Sequence, residues 1–126
     1  MSLDIGLQKY GSAPFSDWIG QRRVVMLGSN AGSTDLAFQG WRRFKEAFAP
    51  ELIERAVRES IVPVHHVVDP FGGSGTTALA AQFLGINSTT IEVNPFLADL
   101  VEAKISNYDC DAVARAFAAV MAGASN

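Results

Sequence analysis

The chain has 126 residues, of which 48% are hydrophobic and 18% charged, and its formal net charge at pH 7 is −3. This length supports one compact domain with a modest core, and the composition is ordinary for a globular protein. The acidic balance excludes a strongly basic nucleic-acid footprint, and no apolar run approaches the ~20 residues that span a bilayer. Since the N-terminus has no signal pattern and Cys110 is the single cysteine, the sequence predicts a cytoplasmic protein without a disulfide framework or a cysteine-rich metal site.

Basic residues are concentrated in the first part of the chain. Between positions 22 and 45 there is one acid, Asp35, and the bases are Arg22, Arg23, Arg42, Arg43 and Lys45. Such residues either form a solvated surface or contact phosphates at the edge of a nucleic-acid groove. Charge alone leaves both interpretations open.

Residues 1–43 are predicted to form an irregular N-terminal segment with one short strand at 23–27, because glycines interrupt the rest of it. The loop at 28–34 has the glycines and hydroxyls of a phosphate loop. It has no lysine, however, and Gly40 breaks the segment that follows. An ordinary surface loop is the better interpretation.

Residues 44–126 are predicted to form an α/β portion. Pro50 and Glu51 suit the first turn of a helix that Pro63 stops. The elements that follow are a strand at 65–68, a helix at 76–84 closed by Gly85, a strand at 89–93, a helix at 95–105 and an amphipathic helix at about 111–121. This order predicts a right-handed parallel unit in an open α/β sheet. Because two strands cannot make a stable parallel sheet, either the N-terminal segment supplies further structure or the unit is part of a larger domain, and we favour the second.

The most informative segment is the nonapeptide 69–77, Asp-Pro-Phe-Gly-Gly-Ser-Gly-Thr-Thr. It places a carboxylate at the end of a strand and a glycine turn at the start of a helix. A P-loop needs a lysine after its last glycine, but Thr76 follows Gly75, and this excludes a nucleoside triphosphate.

A dinucleotide is the stronger competitor, since Gly73, Gly75 and Ala78 satisfy the relaxed glycine fingerprint and Glu92 lies near the expected spacing. An ionised Asp69 would repel the pyrophosphate that sits over this turn. S-adenosylmethionine instead presents an ammonium and a sulfonium to Asp69, and its ribose hydroxyls can donate to Glu92. The joint pattern therefore favours S-adenosylmethionine over a plain turn in which Asp69 caps the next helix.

The segment 67–77, with Gly85 and 91–96, closely resembles the cofactor-binding motif of site-specific DNA methyltransferases that modify the amino group of adenine or cytosine, often within restriction–modification systems. The run 44–53 is similar to the segment that folds over the methionine end of the cofactor in this family. The resemblance covers about 44–104. It implies a Rossmann-like S-adenosylmethionine-dependent methyltransferase fold, here in part only.

By this resemblance, Asp69, Gly73 and Gly75 line the methionine side, Glu92 holds the ribose, and two phenylalanines pack against the cofactor. The complete cofactor-binding set is Phe48, Asp69, Pro70, Phe71, Gly73, Ser74, Gly75, Thr76, Glu92, Val93 and Asn94. Each of the two phenylalanines also has an alternative as a core residue. No metal ligand is predicted, because His65 and His66 suit the solvent-edge start of a strand and no nearby cysteine or acid completes a ligand set.

The family's catalytic motif is Asp, Asn or Ser followed by Pro-Pro and an aromatic residue, which holds a base extruded from the duplex. The sequence contains no Pro-Pro pair, and 94–96 (Asn-Pro-Phe) lacks the second proline. No catalytic residue is therefore predicted, and the chain alone is expected to be inactive. DNA would be contacted through missing or separate regions, and a second chain or domain would carry the catalytic motif. Two alternatives stay open: a non-catalytic cofactor-binding module or remnant, and a fragment of an RNA methyltransferase.

Overall fold

The computed structural model describes residues 13–124. The elements in this range are α1 (Ala13–Ile19), α2 (Glu51–Arg58), β1 (His66–Asp69), α3 (Thr76–Leu84), β2 (Asn87–Thr90), α4 (Pro95–Ile105) and α5 (Cys110–Ala124). Two short 3-10 turns, Ser33–Asp35 and Gln39–Trp41, lie between α1 and α2. Over the described range, no helix combines the length and the apolar character that crossing a membrane requires.

The two strands pair in parallel, with His66 opposite Asn87 and Asp69 opposite Thr90. The predicted strand–helix–strand order is therefore confirmed. In both strands exposed and half-buried residues alternate, so one face of the sheet lies against α3 and the other is open. Parallel sheets are normally covered on both faces. The larger Rossmann-like sheet stays a prediction.

Helix α3 is the centre of the molecule. Its first six residues are buried, and α1, α2 and α4 all pack against it. Its small side chains permit this close approach, since Ala78, Ala80 and Ala81 are at most 1% exposed. On the α1 side, the ring of Trp18 stacks on that of Phe83 with 4.5 Å between centroids. A helix surrounded in this way holds its N-terminus in a fixed place.

The bounds of α3 and α4 agree with the sequence prediction. Gly75 and Gly85 flank α3 in left-handed conformations, with φ of 83° and 72°, which glycine adopts without steric cost. Asn94 caps α4 by accepting hydrogen bonds from the N–H groups of Phe96 and Leu97. Local capping chemistry is strong enough here to determine both helices.

The strand predicted at 23–27 is wrong, since no strand forms there in the described part of the chain. A strand needs a neighbouring ladder, but within residues 13–124 one backbone hydrogen bond, from Ala49 N to Leu27 O, joins this segment to another. Val25 and Met26 are 92% and 65% exposed, so burial does not support a strand either. The predicted irregular structure of residues 1–12 lies outside the described residues.

The other boundaries shift by a few residues. β1 begins and ends one residue later than predicted, while β2 occupies Asn87–Thr90 rather than 89–93. Regular pairing stops because Pro70, which follows β1, has no N–H to donate. Helix α2 ends at Arg58, well before Pro63, and α5 extends beyond its predicted 111–121 at both ends.

Candidate cofactor-binding site

The glycine turn (residues 70–75) connects the end of β1 to the start of α3. Gly72 N donates to Ile91 O and Gly75 N donates to Gly72 O, both at 2.9 Å. Gly73 and Gly75 have φ of 53° and 83°, so both need the left-handed region that other residues avoid. A Cβ on Gly75 would lie 2.8 Å from Cγ2 of Val101. Helix α4 therefore packs directly on the turn.

Asp69 ties the end of β1 to both sides of this turn. Its Oδ1 accepts a 3.0 Å hydrogen bond from Phe71 N, and its Oδ2 accepts a 2.5 Å hydrogen bond from Thr77 Oγ1. Asp69 thus stabilises the tight turn and binds the Thr77 hydroxyl, but within the described residues no side chain, Asp69 included, caps the backbone of α3. An ionised carboxylate has about four acceptor positions, so these two bonds leave capacity for a donor from a ligand.

Glu92 reaches the same turn from the end of β2. Its Oε2 accepts from Gly73 N at 2.7 Å, and its Oε1 accepts from Asn94 N at 2.8 Å. The two carboxylates predicted from the sequence are therefore both attached to the glycine turn, from neighbouring parallel strands. Glu92 also lines a cleft of about 280 Å³ between β2 and α4, whose other lining residues are Ser88, Thr90, Ala98, Val101, Glu102 and Ile105.

The N-terminus of α3 has no side-chain cap from the described residues. The N-cap residue is Gly75, so no side chain caps the first-turn N–H groups. The helix dipole and these free donors together favour an anionic group at such a terminus. Ser74, Thr76 and Thr77 are all at most 6% exposed. The backbone that would face a ligand is thus held by a buried framework.

The aromatic residues are placed differently from one another. Phe71 is 87% exposed, so its alternative as a core residue is wrong. Phe48 is half-buried, and its contact with a cofactor stays a prediction. The ring that does lie against the turn is that of Phe44, whose Cε1 is 3.2 Å from the Cβ position of Gly73. The remaining predicted residues, Pro70, Val93 and Asn94, are exposed at the rim.

Two buried polar residues at the turn were not predicted from the sequence. Gln39, which is 2% exposed, donates from Nε2 to Thr76 Oγ1 at 2.8 Å, and its Oε1 has no partner among the described residues. Lys104, also 2% exposed, donates from Nζ to the Ser74 carbonyl at 2.7 Å. Burial lowers the pKa of this lysine from its ordinary value of 10.5. Its position held a signal, because Lys104 continues the apolar spacing of Leu97 and Val101 along α4.

In each of the two arginine pairs, one arginine contacts another side chain of the protein and the other is exposed to solvent. Arg22 forms two hydrogen bonds with the carboxylate of Glu51, at 2.5 and 2.7 Å, and the guanidinium of Arg42 lies 5.1 Å from the ring centroid of Phe96. The side chains of Arg23, Arg43 and Lys45 are exposed. The choice between a solvated surface and phosphate contact therefore concerns these last three.

The part of the chain that the structure describes contains no cluster of metal-ligating side chains. Across that range, no group of three His, Cys, Asp or Glu side chains is placed to hold an ion. His66, at the start of β1, shares a 2.8 Å hydrogen bond between its Nε2 and Thr89 Oγ1 of the neighbouring strand. This contact is a cross-strand pair of the sheet.

The fold and the site define an α/β protein in which carboxylates at the ends of two parallel strands meet at one glycine turn. Residues 18–103 match the family model for N6 and N4 methyltransferases, described as DNA methylase. The chain belongs to this DNA methylase family.

Individual relatives are type II methyltransferases. M.BsoBI of Geobacillus stearothermophilus is 34% identical over 99 residues, which are 76% of this chain and 19% of that protein. M.MjaII of Methanocaldococcus jannaschii is 36% identical over 70 residues, 56% of this chain and 13% of the relative. M.XycI of Xanthomonas campestris pv. cyanopsidis is 39% identical over 64 residues, 48% of this chain and 21% of the relative. The chain thus spans about a fifth or less of these relatives' length. No solved structure matches the chain significantly.

Proposed function

We propose that this chain is the S-adenosylmethionine-binding portion of a DNA methyltransferase that methylates the exocyclic amino group of adenine or cytosine. Membership of the N6/N4 family and the similarity to type II methyltransferases support this function. The observation that carries the proposal is the attachment of Asp69 and Glu92 to one glycine turn from two adjacent strands.

The proposed roles follow from the chemistry of each group. Asp69 receives the ammonium of the methionine moiety on its unused acceptor positions, and the uncapped N–H groups of α3 bind the carboxylate of the same moiety. Glu92 accepts from the ribose hydroxyls while it holds Gly73. The bound cofactor would supply an activated methyl group. The remaining proposed contacts are Phe48, Pro70, Phe71, Ser74, Thr76, Val93 and Asn94.

The same geometry argues against a dinucleotide. The carboxylate of Asp69 lies at the turn over which a pyrophosphate would sit, hydrogen-bonded to Phe71 N and Thr77 Oγ1. The carboxylate of Asp69 and a pyrophosphate at this turn would both be negative and would repel each other. The methionine moiety of S-adenosylmethionine can instead place its ammonium beside Asp69.

The catalytic motif and the recognition of DNA are proposed to lie on a second chain or domain. Exposed apolar side chains surround the strand ends, and a patch of this kind marks an interaction surface. Its members are Val68, Phe71, Ile91, Val93 and Phe96, each at least 52% exposed. By itself the chain is expected to transfer no methyl group to DNA, which an assay with isotopically labelled S-adenosylmethionine would check. Transfer to DNA or RNA by this chain alone would contradict that part of the proposal.

Calorimetry that compares S-adenosylmethionine with NAD tests the cofactor assignment directly. Tighter binding of NAD would refute the assignment. Variants of the two carboxylates make the test sharper, because they are proposed to hold different ends of the ligand. Asp69→Asn should weaken S-adenosylmethionine by about tenfold or more and leave adenosine unaffected, whereas Glu92→Gln should weaken both.

Asp99→Asn provides the matched control, since Asp99 is an exposed acid on α4. It should leave both affinities unchanged. Equal losses of S-adenosylmethionine and adenosine in Asp69→Asn would show that Asp69 acts through the fold of the turn rather than on the methionine moiety.

A further inference from the structure

Lys104 lies beneath the glycine turn on the buried face of α4. The other buried residues of this face are Leu97 and Val101, so the lysine occupies a position that suits an apolar side chain. Its Nζ donates to the Ser74 carbonyl at 2.7 Å, and no salt bridge among residues 13–124 includes it. The ammonium is thus directed at one backbone oxygen of the turn.

Packing does not explain this lysine. An ammonium buried without a carboxylate loses most of its hydration free energy, and one carbonyl compensates for only part of it. The cost is consistent with the lowered pKa of the group. A leucine or methionine at this position would fill the space without that cost. The distinctive contribution of the lysine is therefore its hydrogen bond to the Ser74 carbonyl, not the burial of its side chain.

The carbonyl of Ser74 and the N–H of Gly75 belong to one peptide unit of the turn. This unit ends at Gly75, which has positive φ and a wide conformational range. Its N–H donates to Gly72 O, and its carbonyl accepts from Lys104 Nζ. The bond from Lys104 therefore holds the second polar group of this unit, next to Gly73 N, which Glu92 holds.

We propose that Lys104 is a positioning residue of the cofactor site, which fixes the Ser74 carbonyl so that the N–H groups at the start of α3 face the ligand. This inference rests on the proposed function. Lys104 does not touch the cofactor in this arrangement; it acts through the backbone of the turn.

The test is Lys104→Met, which keeps the volume and removes the donor. Replacing a buried charge by an apolar side chain of similar shape is often neutral or stabilising, so the melting temperature should be unchanged or higher. Binding of S-adenosylmethionine should nevertheless weaken on the order of tenfold. In the unliganded protein, hydrogen exchange at the Gly73 and Gly75 amides should accelerate about tenfold. A lysine with a merely structural role would not combine retained stability with lost affinity.

Two further variants complete the experiment. Gln82→Ala is the matched control, because Gln82 Nε2 donates to Ile105 O at 3.2 Å and so joins α3 to the end of α4 without contacting the turn. It should leave affinity and exchange in the turn unchanged. Lys104→Arg keeps a donor and should recover part of both losses.

Unchanged affinity together with unchanged amide exchange in Lys104→Met would overturn the inference. If that variant does not fold, NMR of the unsubstituted protein decides instead. The Lys104 ammonium signal should exchange slowly with water and shift when S-adenosylmethionine is added, and a signal that does not respond to bound cofactor overturns the inference. If the chain binds no S-adenosylmethionine, the proposed function fails, whereas exchange in the unliganded turn still shows whether Lys104 fixes it.

Discussion

Helices α3 and α5 differ in burial although both are rich in apolar residues. Six of the nine residues of α3 are buried, whereas none of the 15 residues of α5 is. Val113, Phe117 and Val120 are between 54% and 68% exposed on α5. They recur every three or four residues and so form one stripe. Burial in this chain therefore follows from the position of a helix relative to the sheet, not from its hydrophobicity.

The contrast extends to function. Around α3, the glycine turn is held by hydrogen bonds that Asp69 and Glu92 accept and by one that Lys104 donates, so the candidate site is supported within the described residues. Along α5, the apolar stripe opens instead onto a groove of about 590 Å³ that Phe38 and Trp41 also line. We infer that the site region determines the stability of the chain, and that α5 contributes little to it.

The largest expected effect is in the centre of α3. Leu79 is 1% exposed, so Leu79→Ala should lower the free energy of unfolding by about 3 kcal/mol through lost burial and a cavity. Val113→Ala on α5, where the residue is 54% exposed, should change it by less than about 0.5 kcal/mol. Urea denaturation of the two variants measures both values. Similar losses would show that α5 is part of the same cooperative core.

Glycine-to-alanine substitutions should change the free energy of unfolding in opposite directions at the glycine turn and on α5. In Gly75→Ala the new Cβ meets Val101 at 2.8 Å with φ at +83°, and strain of this kind should destabilise the protein by about 2 kcal/mol or more. For Gly123, on α5, no described residue outside the adjoining helix backbone has an atom within 4 Å of its Cβ position. Gly123→Ala should therefore stabilise the helix by up to about 0.5 kcal/mol. Circular dichroism during thermal unfolding would report both signs, and destabilisation by Gly123→Ala would argue for an unrecognised contact of α5.

Both halves of this comparison show which features the sequence can predict. The bounds of α3 and α4 were predictable, because Gly75, Gly85 and Asn94 act through local backbone chemistry. Residue type and spacing also indicated that Asp69 and Glu92 belong to one site, and the structure attaches both to the turn; their contacts with a cofactor stay a prediction. The failed strand at 23–27 depended on a partner strand that local sequence does not reveal.

The hydrogen bonds of the two buried donors, Gln39 and Lys104, could not be predicted from the sequence, because they too depend on partners far along the chain. Gln39 and Lys104 lie 37 and 30 positions along the chain from their partners Thr76 and Ser74. The periodicity of α4 placed Lys104 on its buried face. It contained no information about which carbonyl the ammonium would meet.

Helix caps provide a smaller test of the comparison. Asn94 caps α4 by accepting from Phe96 N at 3.0 Å, and Asp109 caps α5 by accepting from Asp111 N at 2.9 Å. Asn94→Ala should lower global stability by about 1 kcal/mol, because α4 packs on α3. Asp109→Ala should reduce helical circular dichroism without moving the midpoint of global unfolding. A matched shift of the midpoint in both variants would contradict the independence of α5.

The smallest expected effect is a change of stability with pH that Lys104 produces. Its pKa in the folded protein lies below the ordinary 10.5 because burial disfavours the charged form. Below the folded pKa both states carry the proton and the full desolvation cost opposes folding. As the pH rises through the folded pKa towards 10.5, the folded state releases its proton first, so stability increases with pH relative to a chain without this lysine. The stability difference of Lys104→Met over the parent should therefore be most favourable to the variant near neutral pH and should shrink towards pH 10.5.

Denaturant titrations at a series of pH values measure this trend. α3, β2 and the glycine turn contain no titratable side chain. A difference between parent and Lys104→Met in how the free energy of unfolding depends on pH therefore comes mainly from Lys104. Gln82→Ala, which removes a neutral side chain from the same pair of helices, should shift stability equally at every pH. A difference for Lys104→Met that grows with pH would mean that a negative group stabilises the ammonium in solution. The Ser74 carbonyl would then not be the principal partner of Lys104. Of the three side chains that hold the glycine turn, only Asp69 and Glu92 would remain, and the difference in support between the site and α5 would be smaller.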